Sequence, residues 1–138
     1  MEKTSKLLIV AATEKEVSLL QKNMKYVKTI DTYLTSYKRN DHEIDFLITD
    51  PGIPATVYNL TKIIYKYSYD LILNVGICGS FAEDLAIGDS VSVILDEFAD
   101  LGITYPKNEF NTLFEEEFIK TDKKPFKNGK LYTPTQKF

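Results

Sequence analysis

The chain has 138 residues, of which 43% are hydrophobic and 27% charged, and its 17 basic and 20 acidic side chains leave a net charge of −3. This composition predicts a globular domain and excludes a disordered chain. The sequence has no dense Lys/Arg cluster of the kind that would predict a nucleic-acid partner. It also has no apolar run long enough for a membrane span. A single cysteine, Cys78, excludes an internal disulfide framework and fits a reducing, cytoplasmic compartment.

The first predicted elements are a strand and a helix. Residues 6–12 form a compact apolar run that predicts a central strand. Thr13 and Glu16 follow at the spacing of a capping box, which predicts that a helix begins there. Capping and the helix dipole already explain an acidic residue at position 16. The apolar residues that follow recur at helical spacing: Val17, Leu20 and Met24.

A β-hairpin is predicted next. Residues 32–38 and 43–49 carry β-branched and aromatic side chains, and the polar residues 39–42 between them predict a turn. The only histidine, His42, falls in or beside this turn. We therefore expect an exposed turn residue at this position and not a catalytic base.

A second helix leads into another strand. Residues 50–54 have turn chemistry, and Pro54 suits a first helical turn. Residues 55–67 then predict a helix and residues 70–75 a strand, which makes a βαβ unit with a largely parallel sheet. The predicted buried face of this helix consists of Val57, Leu60, Ile63, Ile64 and Tyr67.

Two glycines follow that strand, Gly76 and Gly79. Glycine lets the backbone turn sharply and lets a ligand approach it closely. Ligands of open α/β sheets bind outside the carboxyl ends of the strands, so this loop is a candidate binding site. A plain strand-to-loop junction is an equally good interpretation of the spacing alone.

The remaining pattern is weaker. Residues 90–95 alternate and predict a strand, with the acidic run 96–102 at its carboxyl end. Those carboxylates could bind ribose hydroxyls or simply be solvated. Phe110, Phe114 and Phe118 are four apart and could form one face of a short helix. We expect a single domain, regular over residues 1–104 and less regular over residues 105–138.

Several kinds of chemistry are excluded. One His and one Cys cannot make the usual zinc sets, and no Walker A or G-x-G-x-x-G motif occurs, so we expect no metal and no cofactor. Gly79-Ser80 is not a serine-hydrolase elbow. Cys78 has no credible His partner, which favours a small packing residue over a nucleophile.

Three segments together resemble the nucleoside phosphorylase/nucleosidase superfamily, whose members cleave the N-glycosidic bond of purine nucleosides. They read LLIVAATEKEVSLL, DPGIPATVYNLTKII and LILNVGICGSFAEDLAIGDSVSVILDEFADLG. Their order and spacing agree over roughly the first hundred residues. The resemblance implies a three-layer α/β/α fold with a mixed, largely parallel sheet, truncated at its C-terminal side.

Within the superfamily the chain most resembles futalosine hydrolase of the alternative menaquinone pathway, through its GI-x-GSF loop, DEFADLG and PFKNGKLY. The implied reaction releases hypoxanthine and dehypoxanthine futalosine from futalosine. Phosphorylases of the superfamily hold phosphate with an arginine and a serine, where this chain has Asn74 and Ile77. Water is therefore the implied nucleophile. The alternatives are a methylthioadenosine/S-adenosylhomocysteine nucleosidase, which typically has a serine at the Ile77 position, or a phosphorylase.

The resemblance also implies site residues for this small-molecule substrate. Glu16 matches the acid that polarises the attacking water. Ile77, Cys78 and Gly79 would line the ribose and the base, and Phe98 would stack on the base.

One departure from the superfamily bears on activity. Its members use a later glutamate motif for the ribose hydroxyls and a later aspartate to protonate the leaving base, and the sequence up to Phe138 has neither. We expect a fragment of a longer enzyme or a chain completed by another. A non-catalytic binding or assembly module is the other alternative. An exposed sheet edge would favour a homo-oligomer.

Overall fold

A five-stranded mixed sheet forms the first of two units into which the chain divides, between Phe81 and Ala82. The structure is a computed structural model and describes residues 5–132. The first unit contains, in chain order, β1 (Lys6–Ala11), α1 (Glu14–Gln21), β2 (Lys25–Asp31), β3 (Leu34–Arg39), β4 (His42–Ile48), α2 (Ile53–Lys66) and β5 (Leu71–Asn74).

The sheet has the strand order β2-β3-β4-β1-β5. β1 pairs in parallel with both β4 and β5, whereas β2, β3 and β4 pair antiparallel. The apolar β1 is thus an inner strand, as its sequence predicts, and the sheet is mixed.

Both faces of β1 are covered, which makes three layers. Alternate side chains of a strand point to opposite faces. Leu8 and Val10 pack with Ile63 of α2 on one face, and Ile9 and Ala11 pack with Val17 of α1 on the other. The predicted α/β/α fold is therefore confirmed for this unit.

The predicted hairpin is confirmed as β3 and β4, which turn at Asn40 with a φ of 52°. β2 was not predicted. It lies antiparallel to β3 at the edge of the sheet, and its residues are mostly exposed.

The helices are present, but their predicted faces are partly wrong. α1 ends at Gln21, which is buried beside Val17, whereas Leu20 is exposed. In α2 the buried residues are Asn59 and Ile63, and the predicted face members Val57 and Ile64 are exposed. Among residues 5–132, no helix is both long and apolar enough to cross a membrane.

The second unit has two small antiparallel sheets. β6 (Leu95–Glu97) pairs with β9 (Lys130–Tyr132), and β7 (Gly102–Thr104) pairs with β8 (Phe110–Thr112). None of the side chains described from 82 to 131 is fully buried. The Phe126 ring packs edge-to-face on Phe114 at 5.2 Å and on Phe98 at 6.1 Å between centroids.

Two predictions for this unit are wrong. Residues 90–94 form no strand, and Val91 and Ile94 are exposed. An alternating pattern specifies two faces, but a strand also requires a partner backbone, and the ladder with β9 begins only at Leu95. Asp96 and Glu97 consequently lie within β6 and not in a loop after a strand.

The helix through the three phenylalanines is also wrong. Phe110 lies in β8, and the chain then turns, with Glu117 at a left-handed φ of 58° that no helix accommodates. Phe114 packs on Phe126, while Phe118 is exposed.

Candidate active site

The loop after β5 meets the start of α1 at one edge of the sheet. β1 and β5 are parallel, so their carboxyl ends lie side by side. The Val75 N–H donates to the Val10 carbonyl at 2.8 Å, which holds the chain beside β1 as it leaves β5. Thr13 and α1 begin just beyond the end of β1. Residues 12–16 and 75–77 thus converge at this edge.

The Glu16 carboxylate lies between these two segments, half-buried, and its two oxygens have different partners. Oε2 accepts hydrogen bonds from the Thr13 N–H at 2.7 Å and from the Thr13 hydroxyl at 3.1 Å. Oε1 accepts from the Ile77 N–H at 3.4 Å, a long contact. One oxygen is therefore fixed by the helix cap, and the other faces the glycine loop.

These donors stabilise the ionised form of the group. The hydrogen bond from the Thr13 backbone lowers the pKa of Glu16, partial burial opposes it, and the Ile77 N–H, the Thr13 hydroxyl and the Ala12 backbone lower it further. Glu16 is ionised at neutral pH, as an ordinary glutamate is, and its ionised range extends to lower pH. A carboxylate in this state can orient a water molecule and accept its proton, but it cannot act as an acid.

Gly76 makes the close approach of loop and carboxylate feasible. A Cβ at this position would lie 3.2 Å from Glu16 Oε1, tighter than ordinary van der Waals contact. The Gly76 backbone is outside the left-handed region, so space and not backbone strain accounts for the glycine. A Cβ at Gly79 would meet nothing within 4 Å.

The other predicted site residues are placed as follows. The Ile77 amide contacts Glu16, while its side chain is 86% exposed. Cys78 and Gly79 continue the same loop. The Cys78 thiol is exposed, so its interpretation as a packing residue is wrong, because the loop lies outside the core. Phe98 belongs to the second unit, where it packs on Phe126; its stacking on a base stays a prediction.

A polar network that sequence reasoning missed fixes the same edge between β1, β4 and α2. The Thr49 N–H donates to the Ala11 carbonyl at 2.9 Å. The Asn59 amide donates to the Thr49 carbonyl at 3.1 Å, and the Thr49 and Thr56 hydroxyls lie 3.1 Å apart. The sequence carried one sign of this network: Asn59 is a polar residue beside the predicted apolar face of α2.

His42 is exposed, as predicted, and lies at the amino end of β4, with Nδ1 2.6 Å from the Ser5 hydroxyl oxygen. Because β4 is parallel to β1, this end is opposite the edge that carries Glu16. Within the described part of the chain, no three His, Cys, Asp or Glu side chains are grouped so that they could hold a metal ion.

No protein-family model matches the chain. Curated relatives do: the chain is 34% identical over 91 residues to a 5'-methylthioadenosine/S-adenosylhomocysteine nucleosidase of Shewanella pealeana, covering 62% of this chain and 39% of the relative. It is 29% identical over 102 residues to the nucleosidase of the same name from Aeromonas salmonicida, covering 72% and 44%.

A solved structure is similar as well, that of the S-adenosylhomocysteine nucleosidase from Streptococcus pyogenes in complex with 5-methylthiotubericidin. The TM-score is 0.54 at 28% identity, over 64% of this chain and 39% of that chain. The present chain thus spans less than half the length of these relatives. None of these matches is a futalosine hydrolase, so that closer likeness stays a prediction. These similar proteins are nucleosidases, and the likeness to them in sequence and in fold extends over between 62% and 72% of this chain.

Proposed function

We propose that the protein hydrolyses the N-glycosidic bond of a purine nucleoside, with 5'-methylthioadenosine or S-adenosylhomocysteine as the substrate. The observation that carries the proposal is the ionised Glu16 carboxylate, with one oxygen tied to Thr13 and the other beside the backbone of the glycine loop. The similarity to nucleosidases of that name, in sequence and in fold, supports the substrate class.

In the proposed reaction, the bond between the ribose C1' and the base nitrogen breaks, and its electron pair leaves with the base. C1' acquires oxocarbenium character, and water adds to it on the opposite face. Glu16 Oε1 orients this water and accepts its proton as the new C–O bond forms. The departing base takes up a proton from a second group. The superfamily resemblance implies a later aspartate for that role, so the proposed activity is that of a protein that includes it.

Two positions favour water over phosphate as the nucleophile. Where phosphorylases of the superfamily use an arginine and a serine, this chain has Asn74 and Ile77, which supply neither a cation nor a hydroxyl. The Ile77 amide donates to the Glu16 carboxylate. A phosphate bound there would face a negative charge, which disfavours its binding.

Futalosine is the second candidate substrate. The GI-x-GSF loop, DEFADLG and PFKNGKLY favour it, as does the isoleucine at position 77. The chemistry at C1' is the same, and only the groups attached to the ribose and the base differ.

The test is a nucleobase-release assay on this chain and on the longest protein that its gene encodes. The substrates are methylthioadenosine, S-adenosylhomocysteine, futalosine and inosine, each with and without phosphate. We expect adenine release from the first two, independent of phosphate. Hypoxanthine release from futalosine alone would favour the second candidate. Phosphate-dependent release would overturn the hydrolase proposal, and no release by either protein would leave a non-catalytic binding module.

Glu16→Gln tests the role of the carboxylate. The amide cannot accept a proton from water, so we expect kcat to fall by about 10²- to 10⁴-fold. Glu14→Gln is the matched control, because Glu14 lies in the same helical turn but is exposed. Circular dichroism should show the same fold for both. Full activity of the Glu16 variant would contradict its assigned role.

The pH profile gives a further test. Since its hydrogen bonds lower the pKa of Glu16, the acid limb of kcat/KM should lie below the ordinary glutamate value of about 4.3. An acid limb near or above that value would assign the titration to another group.

A further inference from the structure

The two oxygens of the Glu16 carboxylate are held unequally, and the residues responsible are Thr13 and Gly76. We infer that Thr13 and Gly76 are positioning residues: Thr13 ties Oε2 to the helix cap, and Gly76 leaves the space in which Oε1 faces the reacting water. This inference rests on the proposed function.

Thr13 contributes two donors to one atom. Its backbone is extended, with φ −135° and ψ 152°, and its N–H and hydroxyl both reach Oε2. The Glu16 N–H in turn donates to the Thr13 carbonyl at 3.2 Å, so residues 13–16 form a closed turn. Thr is restricted at χ1, which keeps the hydroxyl aimed at the carboxylate. A glutamate side chain with three rotatable bonds is thereby held in one orientation.

Gly76 sets the distance on the other side. The loop is anchored to β1 through the Val75 N–H. A side chain at position 76 would therefore press on Oε1, at 3.2 Å from the Cβ, and the carboxylate would have to move. Among residues 5–132, the hydrogen bond recorded to Oε1 is the long contact from the Ile77 N–H, so a remaining lone pair can accept from water.

This division has a kinetic consequence. The carboxylate has to meet water in the transition state, and a displacement of the order of 1 Å can cost about a hundredfold in rate. Substrate binding by the rest of the site would be little affected. Variants of Thr13 and Gly76 should thus lower kcat more than they change KM.

The primary test does not depend on turnover. Carbon-13 NMR of the side-chain carboxylates of this chain, assigned with Glu16→Gln, measures the pKa of Glu16 directly. Thr13→Val removes the hydroxyl, and Thr13→Ser retains it. Gly76→Ala adds a methyl group against Oε1. Gly79→Ala adds one in the same loop where nothing lies within 4 Å, so it is the matched control for the titration.

We expect Thr13→Val to raise the pKa of Glu16 towards the ordinary glutamate value, because it removes the hydroxyl donor to Oε2. Gly76→Ala should raise it as well, because the added methyl group displaces Oε1 from the Ile77 N–H. Thr13→Ser and Gly79→Ala should titrate like the parent chain. In the active protein, Thr13→Val and Gly76→Ala should lower kcat by about tenfold and leave KM within about twofold of the parent value. Thr13→Ser should retain the kcat of the parent protein.

The outcomes separate this inference from the proposed function. Wild-type titration of Glu16 in both Thr13→Val and Gly76→Ala would overturn the inference, whatever the activity. If Gly79→Ala shifts the pKa of Glu16 as much as Gly76→Ala does, the positioning role of Gly76 would be overturned. The expected titrations without any base release would overturn the proposed function and the kinetic role, while confirming that Thr13 and Gly76 hold the carboxylate.

Discussion

A buried ion pair on the α2 face of the sheet provides a quantitative test of the fold. Asp45 of β4 is fully buried, with Lys6 Nζ 3.4 Å from its Oδ2 and the Tyr69 hydroxyl donating to the same oxygen at 2.8 Å. Lys6→Met removes the cation but keeps most of the aliphatic chain. The carboxylate then stays buried with Tyr69 as its remaining charge-stabilising partner.

The cost follows from the geometry. At 3.4 Å and an effective dielectric constant of 20, the attraction between the two charges is about 5 kcal/mol. The Lys6 side chain is 29% exposed, so water offsets part of this loss. Breaking a buried pair by removing one partner typically costs about 3–5 kcal/mol. Because Lys6 is partly exposed, we expect Lys6→Met to lower the free energy of unfolding by about 3 kcal/mol. Contacts of Lys6 with the rings of Tyr67 and Tyr69 add to the loss.

Urea unfolding followed by circular dichroism measures the effect. For an m-value of about 1–3 kcal/mol/M, the midpoint should fall by about 1–3 M. Lys22→Met, at an exposed lysine, is the control and should change the free energy of unfolding by less than about 0.5 kcal/mol. The double variant Lys6→Met/Asp45→Leu removes both charges and should be more stable than Lys6→Met alone. A loss below about 1 kcal/mol in Lys6→Met, or a double variant no more stable than it, would refute the reasoning.

Burial and the hydrogen bond to Asp45 raise the pKa of Tyr69, so its folding contribution is full below the unfolded value of about 10 and is lost as the pH rises further. Tyrosinate absorbance should show a late phase that coincides with unfolding and is absent in Tyr69→Phe. Glu16 has the opposite sign: its lowered pKa stabilises the fold above about pH 4.3, so the stability difference from Glu16→Gln should shrink as the pH falls. Gly102→Ala would place a Cβ onto the backbone carbonyl of Asn111, and NMR should show the β7–β8 pairing lost while β1–β5 stay intact.

The first unit could be predicted in outline because its strands carry strong local signals. The run in β1 is apolar on both faces, and the hairpin has a polar turn between alternating segments. β2 was missed because it is a polar, exposed edge strand whose pairing depends on β3. The helical spacing of apolar residues located α1 and α2, but it does not reveal how deeply each side chain is buried. In α1, for example, Gln21 is buried and Leu20 is exposed.

The second unit could not be predicted in the same way. Its strands have three residues each, and Leu95 pairs with a residue near the other end of the unit. No local pattern encodes such a partner. The ring cluster of Phe98, Phe114 and Phe126 likewise depends on turns, including the left-handed residue Glu117, and not on the helical spacing of phenylalanines.

Glu16 shows why a capping role and a chemical role need not compete. From the sequence alone, the capping-box spacing is a sufficient explanation of this residue, and no other explanation is needed. A carboxylate, however, has two oxygens. The Thr13 donors reach only Oε2, and this same contact orients Oε1 towards the backbone at Gly76 and Ile77. The cap also lowers the pKa of the group and so extends its ionised range to lower pH, which suits the base that the proposed reaction needs. A capping box at the carboxyl end of a parallel strand is therefore compatible with the proposed catalytic role of its carboxylate, because the glycine at position 76 leaves space beside the oxygen that the cap does not hold.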